Sequence, residues 1–165
     1  MDYIILMKSS NKLPLKKLTE EFYNNNPNLV EALDGGWSAA AKVRGYGIVV
    51  ISINSLTFGI PLRSHVRHKQ AFFTDITQDP KGATRKGLDF SKAVLIQEDR
   101  YLDTASFKIP VNEFDRIQDN HQHIVDKFTK YVEKYMRAVS KSDENILRIY
   151  SYSTLKNYHK ELGLS

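Results

Sequence analysis

The sequence predicts an α+β fold, a small antiparallel sheet with helices packed on it. Three observations point there. Apolar β-formers flank a two-residue polar turn at Asn54-Ser55 in GYGIVVISINSLTFGI, the pattern of a hairpin. Short apolar runs separated by polar turns recur up to residue 110. From Asn112 onward, Phe114, Ile117, His121, Ile124, Phe128, Tyr131, Tyr135 and Ala138 follow a three-four alternation, the stripe of a long amphipathic helix.

Taken in order, IILM at 4–7 is a short candidate strand. Leu15, Leu18, Phe22 and Tyr23 recur at helical spacing behind Pro14, a helix opener, so a first helix is expected to end near the asparagine run. Residues 27–33 read as a further short helical piece, broken by Asp34-Gly35-Gly36. Strands are expected at 46–53, 56–62, 70–74 and 92–97, with another candidate at 106–110. Pro61 cannot donate to a central ladder, so the second hairpin strand is expected to stop there. The polar, basic segment 77–87 reads as a loop. Asn112 is the expected cap of the long helix, and a weaker helical pattern runs from Ile146 to Leu162 with Gly163 as its stop.

At 165 residues without a Gly/Ser-rich or Pro-rich tract, the chain fits one compact domain, 1–165. A net charge of +5 favours polyanionic partners. There is no cysteine, which excludes disulfides and thiolate metal sites. Apolar runs fall well short of the roughly 20 residues of a membrane span, and the N-terminus has too short an apolar run for a secretory signal. A cytoplasmic protein without a membrane partner is the expectation. His121 and His123 lie two apart, off the i,i+4 spacing of a helical metal site, and no P-loop, GxGxxG, nucleophile elbow or paired-carboxylate motif is present. Neither a metal nor another cofactor is proposed.

The chemistry concentrates in residues 63–69. Arg63, Arg67 and Lys69 are cationic, Ser64 carries a hydroxyl, and His65 and His68 supply imidazoles. Such groups hold a phosphodiester and move protons around it. An unreactive, solvated basic loop is the plainer alternative. A second polar gathering lies in GLDFSKAVLIQ at 87–97, where Asp89, Ser91 and Lys92 precede an apolar strand; Asp89 and Ser91 capping their own backbone is the plainer reading there.

The succession KLTEEFY, KVRGYGIVVISI, LTFGIPLRSHVRHK and GLDFSKAVLI, followed by the long helix, resembles the endoribonuclease toxins of type III toxin-antitoxin systems, the ToxN, AbiQ and TenpN group, and TenpN above all. The resemblance implies a compact, highly twisted antiparallel sheet, a partly open SH3-like barrel with helices around it. It implies sequence-specific, metal-independent RNA cleavage through 2′-hydroxyl attack, serving phage defence and growth arrest. The implied partners are target mRNA and a small structured antitoxin RNA, trimmed from a repeated precursor and held in a closed assembly, with no DNA. By position, Ser64 falls on the family's active-site serine, and Arg63 stands where ToxN-like members carry threonine. Their lysine two positions after the serine is Val66 here, so Arg67 is the first choice for that charge and Lys69 the second. An upstream lysine corresponds to Lys42 or Arg44; only Lys42 can deprotonate.

On this reading Arg67, Arg63 and Ser64 meet the charge developing on the phosphoryl oxygens. His68 carries protons, with His65 as its substitute. Arg44, His65, Lys69, Lys81, Arg85, Lys86, Asp89 and Lys92 face bound RNA, and Tyr46 or Phe90 stacks on a base, although a core position is the plainer reading of Phe90. Two rival classes are a non-catalytic RNA-binding module and a protein-interaction domain built on the 114–138 helix, the latter binding with little response to salt.

Overall fold

The computed structural model describes residues 13–33, 47–75 and 85–164. The expected strand at 4–7 and the positions Lys42, Arg44, Tyr46 and Lys81 lie outside the described residues.

The described part is an α+β structure in which six strands form one open antiparallel sheet. They are β1 (Leu15–Lys17), β2 (Gly47–Ile53), β3 (Leu56–Val66), β4 (Ala71–Phe73), β5 (Arg85–Asp89) and β6 (Val94–Leu95). The order is β1-β2-β3-β5-β4, with β6 also paired to β3. The expected hairpin forms: Asn54 and Ser55 have φ of 48° and 70°, both in the left-handed region that a two-residue turn needs to match strand twist. This sets the register Ile53↔Leu56 through Ile48↔Pro61.

The second hairpin strand does not stop at Pro61 but continues to Val66. The Val50 N–H points to the β1 side, where it donates to the O of Pro14, the residue just before β1, at 3.1 Å. By alternation Ile60, not Pro61, makes the ladder bonds to β2. On its other edge β3 pairs with β6 at Phe58 and Gly59 and with β5 from Leu62, so Pro61 falls at the changeover between partners, where a missing N–H breaks no ladder.

Several helical expectations are corrected. Leu15–Lys17 is strand β1, recruited by pairing with Gly47–Val49, and the first helix α1 begins only at Glu20 and ends at Asn25. Residues 27–33 form turns and bends, and 106–110 contains no strand. The expected strand at 92–97 shrinks to β6, because Phe90–Lys92 makes a 3₁₀ turn. The long helix is two: α2 (Val111–Asp119), opened by Pro110 rather than Asn112, and α3 (His121–Lys141), separated by Asn120 at φ −109°, ψ 19°. Phe114 consequently stays 40% exposed, while Ile117, Ile124, Phe128, Tyr131, Tyr135 and Ala138 are buried as their spacing predicts. Beyond α3 the chain forms α4 (Glu144–Leu147) and 3₁₀ turns at Arg148–Tyr150 and Thr154–Asn157.

The main core lies between the sheet and α3. Phe128 is fully buried with its ring 5.3 Å from Phe58 and 5.4 Å from Phe90 at steep interplanar angles, the edge-to-face geometry that ring quadrupoles favour. Tyr131 and Tyr150 bury their rings by satisfying their hydroxyls, Tyr131 Oη with Ser153 Oγ at 2.8 Å and Tyr150 Oη donating to Tyr131 O at 2.7 Å. A second, smaller core gathers Leu18, Phe22, Ile48, Val94, Ile96 and Tyr101 on the other side of the sheet. Among the described residues no helix is long and apolar enough to cross a membrane.

Candidate phosphate-binding site

The site begins where β3 changes partners. Arg63 pairs with Gly87 and Val66 with Arg85, so Ser64 and His65 together oppose Lys86 alone. This is a β-bulge, a device that bends a strand and re-aims its side chains. His65 takes the extra turn at φ 61°, a conformation that costs a non-glycine residue on the order of 1 kcal/mol. Ser64, His65, Arg67 and Lys69 are all exposed, and Arg63 and His68 are partly so. The bulge thus spreads the basic segment on the surface.

Asp89 anchors that segment from below. It lies two residues beyond Gly87 on β5, on the same face as Arg63, within the diagonal reach of a long side chain. Gly87 also lets β4 approach, since a Cβ there would stand 2.5 Å from Phe72 O. The Asp89 side chain is wholly buried, yet four donors converge on it. Arg63 Nη1 donates to Oδ2 at 2.7 Å; Ser91 Oγ, the Ser91 N–H and His68 Nε2 donate to Oδ1 at 2.6, 3.0 and 3.0 Å. Burial alone would raise this carboxyl, but the hydrogen bonds from His68, Ser91 and Arg63 outweigh it and lower it from 3.8 to about 2.

The same contacts set the tautomer of His68. The Gln70 N–H can only donate, and it meets His68 Nδ1 at 3.0 Å, so the ring proton sits on Nε2 facing Asp89. Both ring nitrogens are therefore engaged within the protein. Asp89, His68 and Ser91 do not make a hydrolytic triad. A triad needs the acid and the nucleophile on opposite ring nitrogens, whereas Asp89 at 3.0 Å and Ser91 Oγ at 3.4 Å both meet Nε2, and Ser91 spends its proton on Asp89.

The remaining expected residues divide. Lys86 is half exposed and 3.7 Å from Glu113, a carboxylate that also accepts from Thr74 Oγ1 at 2.8 Å. Arg85 lies over the Phe73 ring at 5.3 Å. Both stay beside the bulge. Three expectations are corrected by burial or distance. Asp89 cannot touch RNA, being inaccessible and saturated with donors. Lys92 is turned away, with Nζ 2.9 Å from Tyr152 O and 3.4 Å from Glu31 Oε2 and only 14% of its side chain exposed. Phe90 is 1% exposed, a core residue as its plainer reading has it, and the stacking alternative falls because it presents no ring to a base.

Sequence reasoning passed over two cations that the helices bring to this end of the sheet. Arg116 Nε donates to Phe73 O at 2.8 Å and Lys127 Nζ to Ala71 O at 2.6 Å, so both plug carbonyls of β4, the sheet's edge strand. Burial pushes the Lys127 ammonium below its usual value. Only their position on α2 and α3 marks them, and that signal needs the helix-to-sheet register. Comparison with protein-family models, curated proteins and solved structures finds no match to this chain.

Proposed function

We propose that this chain is a metal-independent endoribonuclease of the type III toxin class. The 2′-oxygen forms a bond to the adjacent phosphorus and the bond to the 5′-oxygen breaks, leaving a 2′,3′-cyclic phosphate. One base takes the 2′-hydroxyl proton, and one acid returns a proton to the departing 5′-oxygen. The observation that carries the reading is the bulge at Ser64-His65, which exposes a hydroxyl and an imidazole within the same short segment as Arg63, Arg67 and Lys69. Backbone held in a left-handed conformation at a non-glycine position is a recurrent mark of sites where geometry matters more than stability.

In this mechanism Arg63 and Arg67 face the non-bridging phosphoryl oxygens and Ser64 donates to one of them, since charge stabilisation in the transition state is the largest single contribution. His68 is engaged at both ring nitrogens, and in this proposal the solvent-exposed His65 carries the proton. Arg85, Lys86 and Lys69 border the path of the RNA backbone. The cellular setting that fits is a cytoplasmic toxin, restrained by a structured antitoxin RNA in a closed protein-RNA assembly and cutting mRNA on release.

The test is induced expression in bacteria of the unaltered protein beside Ser64→Ala, with growth recorded and new RNA 5′ ends and 3′ cyclic phosphates mapped. Arrest with cyclic-phosphate ends from the unaltered protein alone supports the proposal. The occupied ring of His68 favours one alternative, a non-catalytic RNA-binding module. Arrest by both versions without new ends would establish that reading instead.

A further inference from the structure

We propose that Asp89 is the positioning residue of this site: its buried carboxylate presets Arg63 as the anchor for one phosphodiester anion, with His68 as a structural partner in the clasp. That the anion belongs to RNA rests on the function proposed above; the anchoring does not.

The argument starts from what the clasp joins. One carboxylate holds a strand residue (Arg63), a residue of the turn between β3 and β4 (His68) and a 3₁₀ residue (Ser91). The 63–68 segment lies more than twenty residues from Asp89 and Ser91, and each of the three residues brings a polar group to the same two oxygens. A long arginine on a surface strand would otherwise sample many rotamers, and fixing such a side chain at the moment of binding opposes affinity. Here Nη1 is already fixed by a 2.7 Å charge-assisted bond, while 32% of the side chain stays accessible. Among the described residues the Arg63 side chain donates to Asp89. The rest of its donor fork is available to a phosphate oxygen. His68 locks the arrangement: the Gln70 N–H orients its ring, and the ring completes the donor set of Asp89.

The effect of removing the charge distinguishes this role from plain electrostatics. A carboxylate near an anion site repels the anion, so Asp89→Asn should tighten binding if position did not matter. Preorganisation predicts the opposite, a loss of roughly tenfold, the scale of immobilising one rotamer-rich side chain.

The experiment measures a 2′-O-methyl RNA oligonucleotide, which cannot be cleaved, binding to the unaltered protein, Asp89→Asn, Arg63→Ala and the double variant. In parallel, inorganic phosphate is titrated against the Arg63 side-chain N–H signals in nuclear magnetic resonance spectra. Expected are weaker RNA binding by Asp89→Asn, and no further loss when that change is added to Arg63→Ala, because Asp89 acts through Arg63. Resolved, slowly rotating Nη–H signals of Arg63 in the unaltered protein are also expected, and this measurement stands even if the Asn variant fails to fold. Equal or tighter binding by Asp89→Asn, additive losses, or a freely rotating guanidinium would overturn the proposal while leaving the ribonuclease reading intact. Phosphate shifting the Arg63 signals without any RNA binding would overturn the ribonuclease reading and leave this one standing. If neither probe binds, both fall.

Discussion

Asp89→Asn should erase a defined part of the protein's sensitivity to acid. The Asp89 carboxyl is lowered in the folded protein from 3.8 to about 2, because the donors from His68, Ser91 and Arg63 prefer the anion by more than burial disfavours it. A folded-state value below the unfolded one means that the stabilisation is present above about pH 4 and is lost as the pH falls through about 2. At about 1.4 kcal/mol for each tenfold change in proton affinity, the shift corresponds to roughly 2 kcal/mol. The assay is urea unfolding of both proteins, followed by fluorescence, at pH 6 and again near pH 2. The unaltered protein should be the more stable at pH 6, and the gap should shrink by about 2 kcal/mol on acidification, since the other carboxylates titrate alike in both. A gap that stays constant between the two pH values would refute the reasoning, for it would mean that Asp89 is not held as an anion by this clasp.

Other expectations are open to measurement. Phe128→Ala removes a fully buried ring between Phe58 and Phe90, and equilibrium unfolding should show a loss of about 3–5 kcal/mol. Ser55→Gly relieves a side chain held at φ 70° in the hairpin turn and should raise stability by roughly 0.5–1 kcal/mol, seen as a higher melting temperature. Gly87→Ala would set a methyl 2.5 Å from Phe72 O and push β4 off β5, at about 1–3 kcal/mol; hydrogen exchange should then quicken at Thr74 and Phe90, whose N–H groups donate to Lys86 O and Gln70 O.

Local chemistry by itself determined the α+β class, the hairpin at Asn54-Ser55, and the buried stripe of α3. Each of these depends on residues close in sequence, through turn conformation or helical period, and so is legible without the fold. The Asx-type turn at Asp89 and Ser91 was readable for the same reason, and it forms, with the Ser91 N–H on Asp89 Oδ1. Leu15–Lys17 shows the limit: its helical spacing is real, but pairing with β2 satisfies the same backbone groups and takes it into the sheet. Pro61 shows another, because whether a proline ends a strand depends on which neighbour that edge faces. Only the tertiary structure decided the roles of Asp89, His68 and Lys92. The expected places were the RNA surface for Asp89 and Lys92 and proton transfer for His68, whereas burial under β3 and its turn made Asp89 the internal anchor, His68 its partner, and turned Lys92 toward Tyr152 and Glu31. Contacts among residues tens of positions apart fix these outcomes, and no local pattern carries them.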